Sequence, residues 1–359
     1  MKLVGIGNPL LDITAVVPAD YLSKYELERG SAILAEEKHM EIFKELPSSF
    51  EVKFSGGGAT QNTIRIAAAL LGDGDCAYIG AVGDDDTAIT LKDCVEKMVL
   101  IPFISMPKKK KTGCCACLIN DQERTLVTTL EAANSLSIDH INSHKDEIMR
   151  SKVIYSAGYV LTACPEIVSL AETVSQSDDC VYAVNLSAPF LCEVPIFKES
   201  LMKMISFCAL VFGNDSEAKA FAKSEDWGSD LEEIIVKLAR LPYKGKNPET
   251  HRIVVITCGS DSTLVCVDGQ TVQRFAVDPV DSESIVDVNG AGDSFVGGFL
   301  AMYASGEPIS KCVDIGHKVA ALIIQRSGVS TTGIKEVLTK PQEKLSPPPK
   351  RPRAISEST

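Results

Sequence analysis

The second half of the chain alternates apolar strand patterns with amphipathic helix patterns, and this alternation is the feature that most restricts its possible folds. Strands separated by helices form a parallel sheet that is covered by helices on both faces. Ligands of such sheets bind at the carboxyl ends of the strands, so we expect a site at that edge. The predicted elements are strand 152–157, helix 165–176, strand 180–185, helix 195–206, strand 208–212, helices 215–223 and 229–240, strand 252–257, a hairpin over 262–277, and helices near 291–304 and 309–326.

The first half contains two further buried strands, at 2–7 and 77–82, and the residues between them lack the regular alternation of strands and helices. Residues 13–54 mix extended pieces with a helix-like segment at 36–46. Residues 112–129 read as two strands around a turn at Asn120, Asp121 and Gln122. We expect these two stretches to pair into a small sheet that is separate from the main one.

Bulk properties exclude two classes of partner. No run approaches the roughly 18 consecutive apolar residues of a membrane span, and Asn8, Pro9 and Asp12 interrupt the apolar start of the chain. The net charge of −12 argues against a nucleic-acid-binding surface. Twelve cysteines without regular Cys-x-x-Cys pairing indicate a reducing compartment. We therefore expect a cytoplasmic protein with no membrane or nucleic-acid partner.

Three smaller features have an ordinary interpretation and a more specific one. Cys114, Cys115 and Cys117 are typical of a packed strand, and we prefer packing to a metal site because no His or further Cys follows at ligand spacing. The run 108–111 is interpreted as a charged turn. The basic, proline-rich tail 341–359 is expected to be disordered, and a nuclear signal at 350–353 stays open as the alternative.

The segment 287–299, Asp-Val-Asn-Gly-Ala-Gly-Asp-Ser-Phe-Val-Gly-Gly-Phe, carries the chemistry. Gly290, Ala291 and Gly292 allow a tight turn that presents backbone N–H groups at the start of a helix, which forms an anion hole. Asp293 follows directly, and a carboxylate beside an anion hole suits the removal of a proton from an attacking hydroxyl. A plain helix start with Asp293 opposing the helix dipole is the alternative.

Neither a Gly-x-x-x-x-Gly-Lys-Ser/Thr loop nor the His-Arg-Asp and Asp-Phe-Gly motifs occur, which excludes P-loop and protein-kinase chemistry. The segment 287–299 is instead similar to the carboxy-terminal signature of the ribokinase or PfkB family of small-molecule kinases. From about residue 3 to 333 the chain resembles the adenosine kinase branch of that family. The stretches that carry this resemblance are 7–12, 33–36, 57–62, 185–190, 212–214 with Glu217, 257–259, and Gly316-His317.

The resemblance implies an α/β fold: a ribokinase-like three-layer αβα domain with a mostly parallel central sheet, plus a small α+β lid domain. The implied large domain comprises 1–12, 55–102 and 131–340, and the lid comprises 13–54 and 103–130. It further implies that the γ-phosphoryl group of ATP is transferred to the 5′-hydroxyl of adenosine, with Mg²⁺ as cofactor, giving AMP and ADP. We expect a monomer, because segment 13–54 can cover the lid edge within one chain.

Site roles follow from the same resemblance. Asp12 and Asn62, with the N–H groups of Gly57 and Gly58, are expected to bind the ribose hydroxyls. Arg124 is expected to reach the transferred phosphoryl group when the lid closes, with a surface charge as its alternative role. Glu217 is expected to organise Mg²⁺ through water, beside Asn214, although the pair also suits a helix cap. The remaining expected contacts are Asn214, Thr257, Gly259, Gly290, Gly292 and His317 for ATP, and Asn8 and Asn289 for the acceptor.

Recognition of the base is expected to be less regular than recognition of the ribose. Ala59 stands where Ser is common, Val160 where an aromatic residue usually stacks on the purine, and Thr128 where a small apolar residue is usual. An apolar slot favours a nucleoside over a free sugar. Another nucleoside or sugar kinase of the family, or a nucleotide-binding regulator without catalysis, are the alternatives. The expected slot residues are Leu10, Leu34, Leu126, Leu130, Tyr159, Val160 and Phe190, together with Ala59.

Overall fold

Two β-sheets organise the chain, which is described from a computed structural model for residues 1–96, 100–105, 110–121, 123–246 and 252–339. The strands are β1 Leu3–Ile6, β2 Leu10–Val16, β3 Ala32–Leu34, β4 Val52–Gly57, β5 Cys76–Ala81, β6 Leu100–Ser105, β7 Cys114–Asn120, β8 Glu123–Thr129, β9 Val153–Ala157, β10 Val181–Asn185, β11 Leu210–Asn214, β12 Ile253–Cys258, β13 Asp261–Val267 and β14 Val272–Phe275.

Helices connect most of these strands. The α-helices are α1 Ala19–Lys24, α2 Ile42–Ser49, α3 Ala59–Leu71, α4 Asp86–Glu96, α5 Ile138–Ser143, α6 Lys145–Ile148, α7 Val160–Ala163, α8 Val168–Ser175, α9 Pro189–Glu193, α10 Pro195–Ile205, α11 Asp215–Ser224, α12 Leu231–Ala239, α13 Ala291–Ala304 and α14 Ile309–Ile324. Short 3-10 turns lie at Glu37–His39, Glu131–Ser135, Pro165–Ile167, Ser282–Ser284 and Ile334–Leu338.

The large sheet has the strand order β14-β13-β12-β11-β10-β9-β1-β5-β6. The strands from β12 to β6 in that order are parallel, and β13 and β14 add an antiparallel edge. Alternate side chains of one strand enter different cores: Ile154 of β9 packs with α8, α10, α11 and α12, whereas Tyr155 packs with α3, α13 and α14. These two cores make the three-layer αβα arrangement that the sequence predicted.

A second sheet, with the order β3-β8-β7-β2-β4, forms the lid over the carboxyl ends of the large sheet. One face packs against α1, α2 and α4 through side chains such as Leu11, Ile13 and Leu118. Because strand side chains alternate, the positions between them, such as Asp12 on β2, face the other way. The lid therefore has an apolar face that its helices cover and an opposite face, here called the open face, that carries both polar and apolar side chains.

The predicted order of strands and helices from residue 151 onward is confirmed, and the predicted hairpin is β13–β14. The predicted helix at 165–176 starts as a 3-10 turn at its proline. The helix-like segment at 36–46 is wrong in its bounds: it is a 3-10 turn followed by α2, which extends past Pro47 to Ser49. Helix α1 was not predicted.

The predicted domain boundaries remain predictions. Those after residues 12, 54 and 102 fall inside β2, β4 and β6. Gln122, the first half of the run 108–111 and the tail 341–359 lie outside the described residues. None of the helices in the described part of the chain combines the length and apolarity needed to cross a bilayer.

Candidate active site

A cleft of about 310 Å³ lies between the open face of the lid and the carboxyl ends of the large-sheet strands. This is the edge at which parallel sheets bind their ligands. Among the predicted site residues, those that line it are Leu10, Asp12, Gly58, Ala59, Asn62, Arg124, Leu126, Tyr159, Asn214, Glu217, Thr257, Asn289, Gly290, Gly292 and Asp293.

The floor of the cleft is the turn that starts α13. Gly290 has a φ of +76°, and an added Cβ would lie 2.4 Å from a methyl carbon of Val329, so this position requires glycine. The first helical hydrogen bond of this turn runs from the Ser294 N–H to the Gly290 carbonyl at 2.9 Å. The N–H groups of Gly292 and Asp293 precede that bond, and a helix start offers such groups to an anion.

Asp293 stands in the first turn of α13 and is half-buried at the floor of the cleft. Burial raises the pKa of its carboxyl to about 6, although a hydrogen bond from Asn62 opposes the rise. The Asn62 amide nitrogen lies 3.1 Å from Oδ2 of Asp293. A carboxylate with a pKa close to the working pH is suited to accept a proton.

Asp12 faces the cleft from the lid. Burial raises the pKa of its carboxyl to about 7 against the opposing charges of Arg65 and Arg124. Arg65 is buried and donates to the carbonyl of Val329 at 3.1 Å and, at 3.4 Å, to the Asn62 side chain. A carboxylate and an amide thus lie at the two sides of one cavity, where they suit a polyhydroxylated ligand.

Arg124, on β8 of the lid, forms a largely buried ion pair with Asp287, which lies three residues before Gly290 of the anion-hole turn. The Arg124 Nη1 to Asp287 Oδ2 distance is 3.0 Å. Asp287 also accepts hydrogen bonds from the N–H groups of Asn289, at 3.0 Å, and Gly328, at 3.1 Å. This pair connects the lid to the floor of the cleft and places a guanidinium group at its wall.

Asn214 and Glu217 form a reciprocal cap at the start of α11. The Glu217 N–H donates to Asn214 Oδ1 at 2.8 Å, and Asn214 donates to both carboxylate oxygens of Glu217, at 3.0 and 2.8 Å. Burial raises the pKa of Glu217 to about 7. Because Asn214 already engages both oxygens, this carboxylate is better suited to contact a cation through water than directly.

Several predicted site residues lie outside the lining of the cleft, and their roles remain predictions. Val160 packs in the core on one face of the large sheet, and Leu34 is 61% exposed on β3. Phe190 lies next to Tyr159, with ring centroids 6.3 Å apart. Gly57 and Ala291 are chain neighbours of lining residues, and the Asn8 carbonyl oxygen lies beside Gly58. Leu130 directly follows β8, and Gly259 forms the turn between β12 and β13.

His317 belongs to a second cavity, of about 300 Å³, on the far side of Phe295. Its Nε2 is 2.8 Å from the Thr263 hydroxyl oxygen, and burial lowers the pKa of the imidazole. The cavity also contains apolar side chains of β14 and α14, such as Phe275 and Val313. It is a separate space from the cleft that contains Asp293.

Other lining residues were not predicted as site residues. They are Cys115, Cys117, Asn185, Ser187, Phe212, Gly213, Val255, Phe295 and Val296. Packing was expected for all three lid cysteines, and the structure confirms it for Cys114, which lies in the lid core. Cys115 and Cys117 are buried as well, as packing predicts, but the strand alternation places both at the wall of the cleft and outside the lid core. The sequence gives no sign of this, since small apolar residues occupy both faces of β7.

Comparisons with known proteins agree with this geometry. The chain matches the pfkB family of carbohydrate kinases over residues 30–336. Adenosine kinase 2 of Arabidopsis thaliana is 38% identical over 332 residues, which are 91% of this chain and 94% of that relative. The structure of Anopheles gambiae adenosine kinase in complex with P1,P4-di(adenosine-5) tetraphosphate has a TM-score of 0.84 and 37% identity, covering 92% of this chain and 97% of that one. Schistosoma mansoni adenosine kinase with adenosine in an occluded loop conformation has a TM-score of 0.85 and 32% identity, covering 94% and 98%.

Proposed function

The chain belongs to the pfkB family of carbohydrate kinases, and on that premise we propose that it is an adenosine kinase. It transfers the γ-phosphoryl group of ATP to the 5′-hydroxyl of adenosine and releases AMP and ADP. Relatives that carry this name cover more than nine tenths of the chain at up to 38% identity. The proposal rests on this similarity and on the chemistry of the cleft.

The observation that carries the proposal is the position of Asp293. It is half-buried beside the N–H groups of a helix start, and this burial raises the pKa of its carboxyl to about 6. A carboxylate at that position does not bind phosphate, but it accepts the proton of a hydroxyl that attacks phosphorus. The base and the anion hole are thus adjacent residues of one turn, which suits phosphoryl transfer to an alcohol.

In the proposed mechanism the 5′-hydroxyl gives its proton to Asp293 as its oxygen bonds to the γ-phosphorus. The bond from that phosphorus to the bridging oxygen of ADP breaks. The N–H groups of Gly292 and Asp293 stabilise charge on the transferred group, and Arg124 adds a positive charge from the lid. Because the lid covers the cleft, it also excludes water, which would otherwise compete as the acceptor.

We propose that Asp12 and Asn62 bind the ribose hydroxyls, with Gly57 and Gly58 beside them. Carboxylate and amide oxygens accept hydrogen bonds from vicinal hydroxyls, and holding both hydroxyls orients the 5′-carbon toward Asp293. Leu10 and Leu126 supply apolar walls, and the Tyr159 ring supplies an aromatic face. With Val160 packed in the core, Tyr159 is the aromatic residue that we assign to the base.

The donor set at the start of α11 fits Mg²⁺ held through water. Glu217 is buried, and both of its oxygens already accept hydrogen bonds from Asn214. When bound with ATP, the ion would neutralise phosphate charge. Glu217 would position the metal-bound waters, and Asn214 would hold the carboxylate in place. Thr257 and Gly259 are proposed ATP contacts, and the His317 cavity is the proposed place of the ATP base.

We further propose a cytoplasmic monomer. Segment 13–54 supplies β3 and the first half of β4, the two outer strands of the lid sheet, so these outer positions are filled within one chain. Light scattering of the purified protein gives the mass directly, and a dimer would contradict the proposal. The nuclear-signal alternative for 350–353 is tested by deleting residues 341–359 and following the location of the protein.

The activity itself is tested by following ADP formation with adenosine, inosine, guanosine, ribose and fructose as acceptors, and by identifying the product by mass and chromatography. We expect adenosine to have the highest kcat/KM and to yield AMP phosphorylated at the 5′ position. Equal or better turnover of ribose would overturn the choice of acceptor while leaving the family assignment intact.

A further inference from the structure

Two thiols and a carboxylate form a compact group on the lid wall of the cleft. Cys115 and Cys117 are alternate residues of β7, so their side chains share one face. Asp12 is the register partner of Cys115 on the adjacent strand β2. The two sulfur atoms are 3.9 Å apart, and the sulfur and carboxylate oxygen atoms all lie within 4.8 Å of one another. We call these three residues the Cys₂Asp group.

The spacing of this group matches a specific ligand geometry. Zinc binds thiolate sulfur at about 2.3 Å with tetrahedral angles, which places two ligating sulfurs about 3.8 Å apart. The observed separation of the two sulfur atoms, 3.9 Å, is close to this value. A carboxylate oxygen bonds zinc at about 2.0–2.2 Å, so Asp12 needs only a small adjustment to complete a three-ligand set.

We propose that the Cys₂Asp group binds one zinc ion, and that the bound ion inhibits the enzyme by occupying the acceptor side of the cleft. Zinc coordination replaces the protons of both thiols, which pass to solvent, and it engages the Asp12 carboxylate. That carboxylate is the group we assign to the ribose hydroxyls, so zinc and the nucleoside compete for it. The inhibition part of this proposal rests on the proposed function, whereas the binding part does not.

Ligand type and surroundings favour zinc over the magnesium of the reaction. Magnesium requires oxygen ligands in an octahedron, whereas two thiolates select a softer ion. The Thr128 hydroxyl donates to Cys115 Sγ at 3.3 Å and would hold this ligand from outside the coordination shell. Cys115 is 7% and Cys117 is 3% exposed, and both line the cleft, so an ion can reach them through the substrate opening.

The chain contains a matched control for this site. Cys114 is the neighbour of Cys115 on the same strand and is equally buried, but it packs in the lid core on the opposite face. Its thiol lies 3.6 Å from the carbonyl oxygen of Thr112. Replacing Cys114 removes a thiol from the same strand and leaves the Cys₂Asp group intact.

Binding is tested on the full-length, metal-free protein with Co²⁺ as a spectroscopic substitute for zinc. We expect one equivalent of Co²⁺ to produce a thiolate-to-cobalt charge-transfer band that one equivalent of Zn²⁺ abolishes. Cys115→Ser and Cys117→Ser should each lower zinc affinity by about 100-fold or more, measured against a chromophoric chelator, because loss of even an outer-shell partner costs 10–100-fold. Cys114→Ser should keep the band and the affinity.

Thermal melting checks that each variant is folded, and the Ala substitution at the same position replaces any Ser variant that is not. Absence of the charge-transfer band in the wild type, or equal loss in the Cys114 variant, would overturn the zinc site. The inhibition arm measures zinc against adenosine: we expect KM for adenosine to rise with free zinc and kcat to stay constant in wild type. If zinc binds but does not raise the KM for adenosine, the zinc site stands and its proposed inhibitory role is rejected.

Discussion

The side-chain amide of Asn62 donates a hydrogen bond of 3.1 Å to Oδ2 of Asp293. Asn62 lies in the first turn of α3 and Asp293 in the first turn of α13, two helices that pack together on one face of the large sheet. The bond fixes the orientation of the proposed base. It also favours the ionised carboxylate, because an amide donor stabilises negative charge.

This relationship predicts a specific pH profile. The proposed base works only when it is ionised, and the pKa of Asp293 is about 6, so kcat/KM should fall about tenfold per pH unit below that value. Asn62→Ala removes the donor that lowers this pKa, so its acid limb should move to higher pH. Thr63→Val is the control, because Thr63 donates to the backbone carbonyl of Asp293 and leaves its carboxylate alone. An unmoved limb in the Asn62 variant would contradict the assignment.

Removal of the Arg124 guanidinium should reduce turnover more than substrate affinity. Arg124→Ala takes a cation from the wall of the cleft and leaves buried Asp287 without its ion-pair partner. We expect kcat to fall about 10²-fold, the usual cost of losing one stabilising donor. Arg29→Ala is the control, since Arg29 pairs with Asp121 and Glu123 on the solvent side of the lid. Similar kcat values for both variants would remove Arg124 from the mechanism.

Gly58 combines a positive φ with a close backbone contact. Its φ is +90°, and an added Cβ would lie 2.3 Å from the Asn8 carbonyl oxygen. Gly72, at the other end of α3, has a φ of +104° with open space around it. Both Ala variants should lose about 1–3 kcal/mol of unfolding free energy through backbone strain. Gly58→Ala should lose more, and it alone should lower kcat/KM; equal denaturation midpoints would contradict this.

The sequence predicted the parts of the site that depend on local backbone conformation. It did not predict the parts that depend on the direction of single side chains. The turn at Gly290 and the cap at Asn214 are local, so short motifs predicted both. Val160 was predicted to line the base slot, but its side chain packs in the core on one face of the large sheet. The direction of one side chain depends on tertiary packing, which a motif does not encode.

The lid shows the same limit. The strand patterns predicted that residues 13–54 and 112–129 pair into one small sheet. They did not predict which face of this sheet is open, because β7 carries small apolar residues on both faces. The packing of Leu11 and Leu118 in the lid core defines which face is open, and the sequence of β7 does not show this packing. The meeting of Asp12 with Cys115 depends on the parallel pairing of β2 and β7, whose partners are about a hundred residues apart in the chain.

Asp293 should cost the protein stability at neutral and alkaline pH. Its folded-state pKa of about 6 lies above the ordinary value of 3.8, so the folded state binds a proton more tightly than the unfolded chain. The resulting stabilisation is complete below pH 4 and is lost as pH rises through 6. Asp293→Asn should therefore raise the melting temperature at pH 8 more than at pH 4.5. Exposed Asp139→Asn, in the first turn of α5, should show no such pH-dependent gain.

The most direct test of the account is phosphoryl transfer by Asp293→Asn, with adenosine affinity measured on the same preparation by calorimetry. The variant keeps the size of the side chain and the hydrogen-bonding reach toward Asn62, but it cannot accept the proton of the 5′-hydroxyl. We predict that kcat falls by about 10²–10⁴ while the Kd for adenosine is unchanged. Unchanged turnover would contradict the role of Asp293 as general base, and so would a loss that is explained entirely by weaker binding.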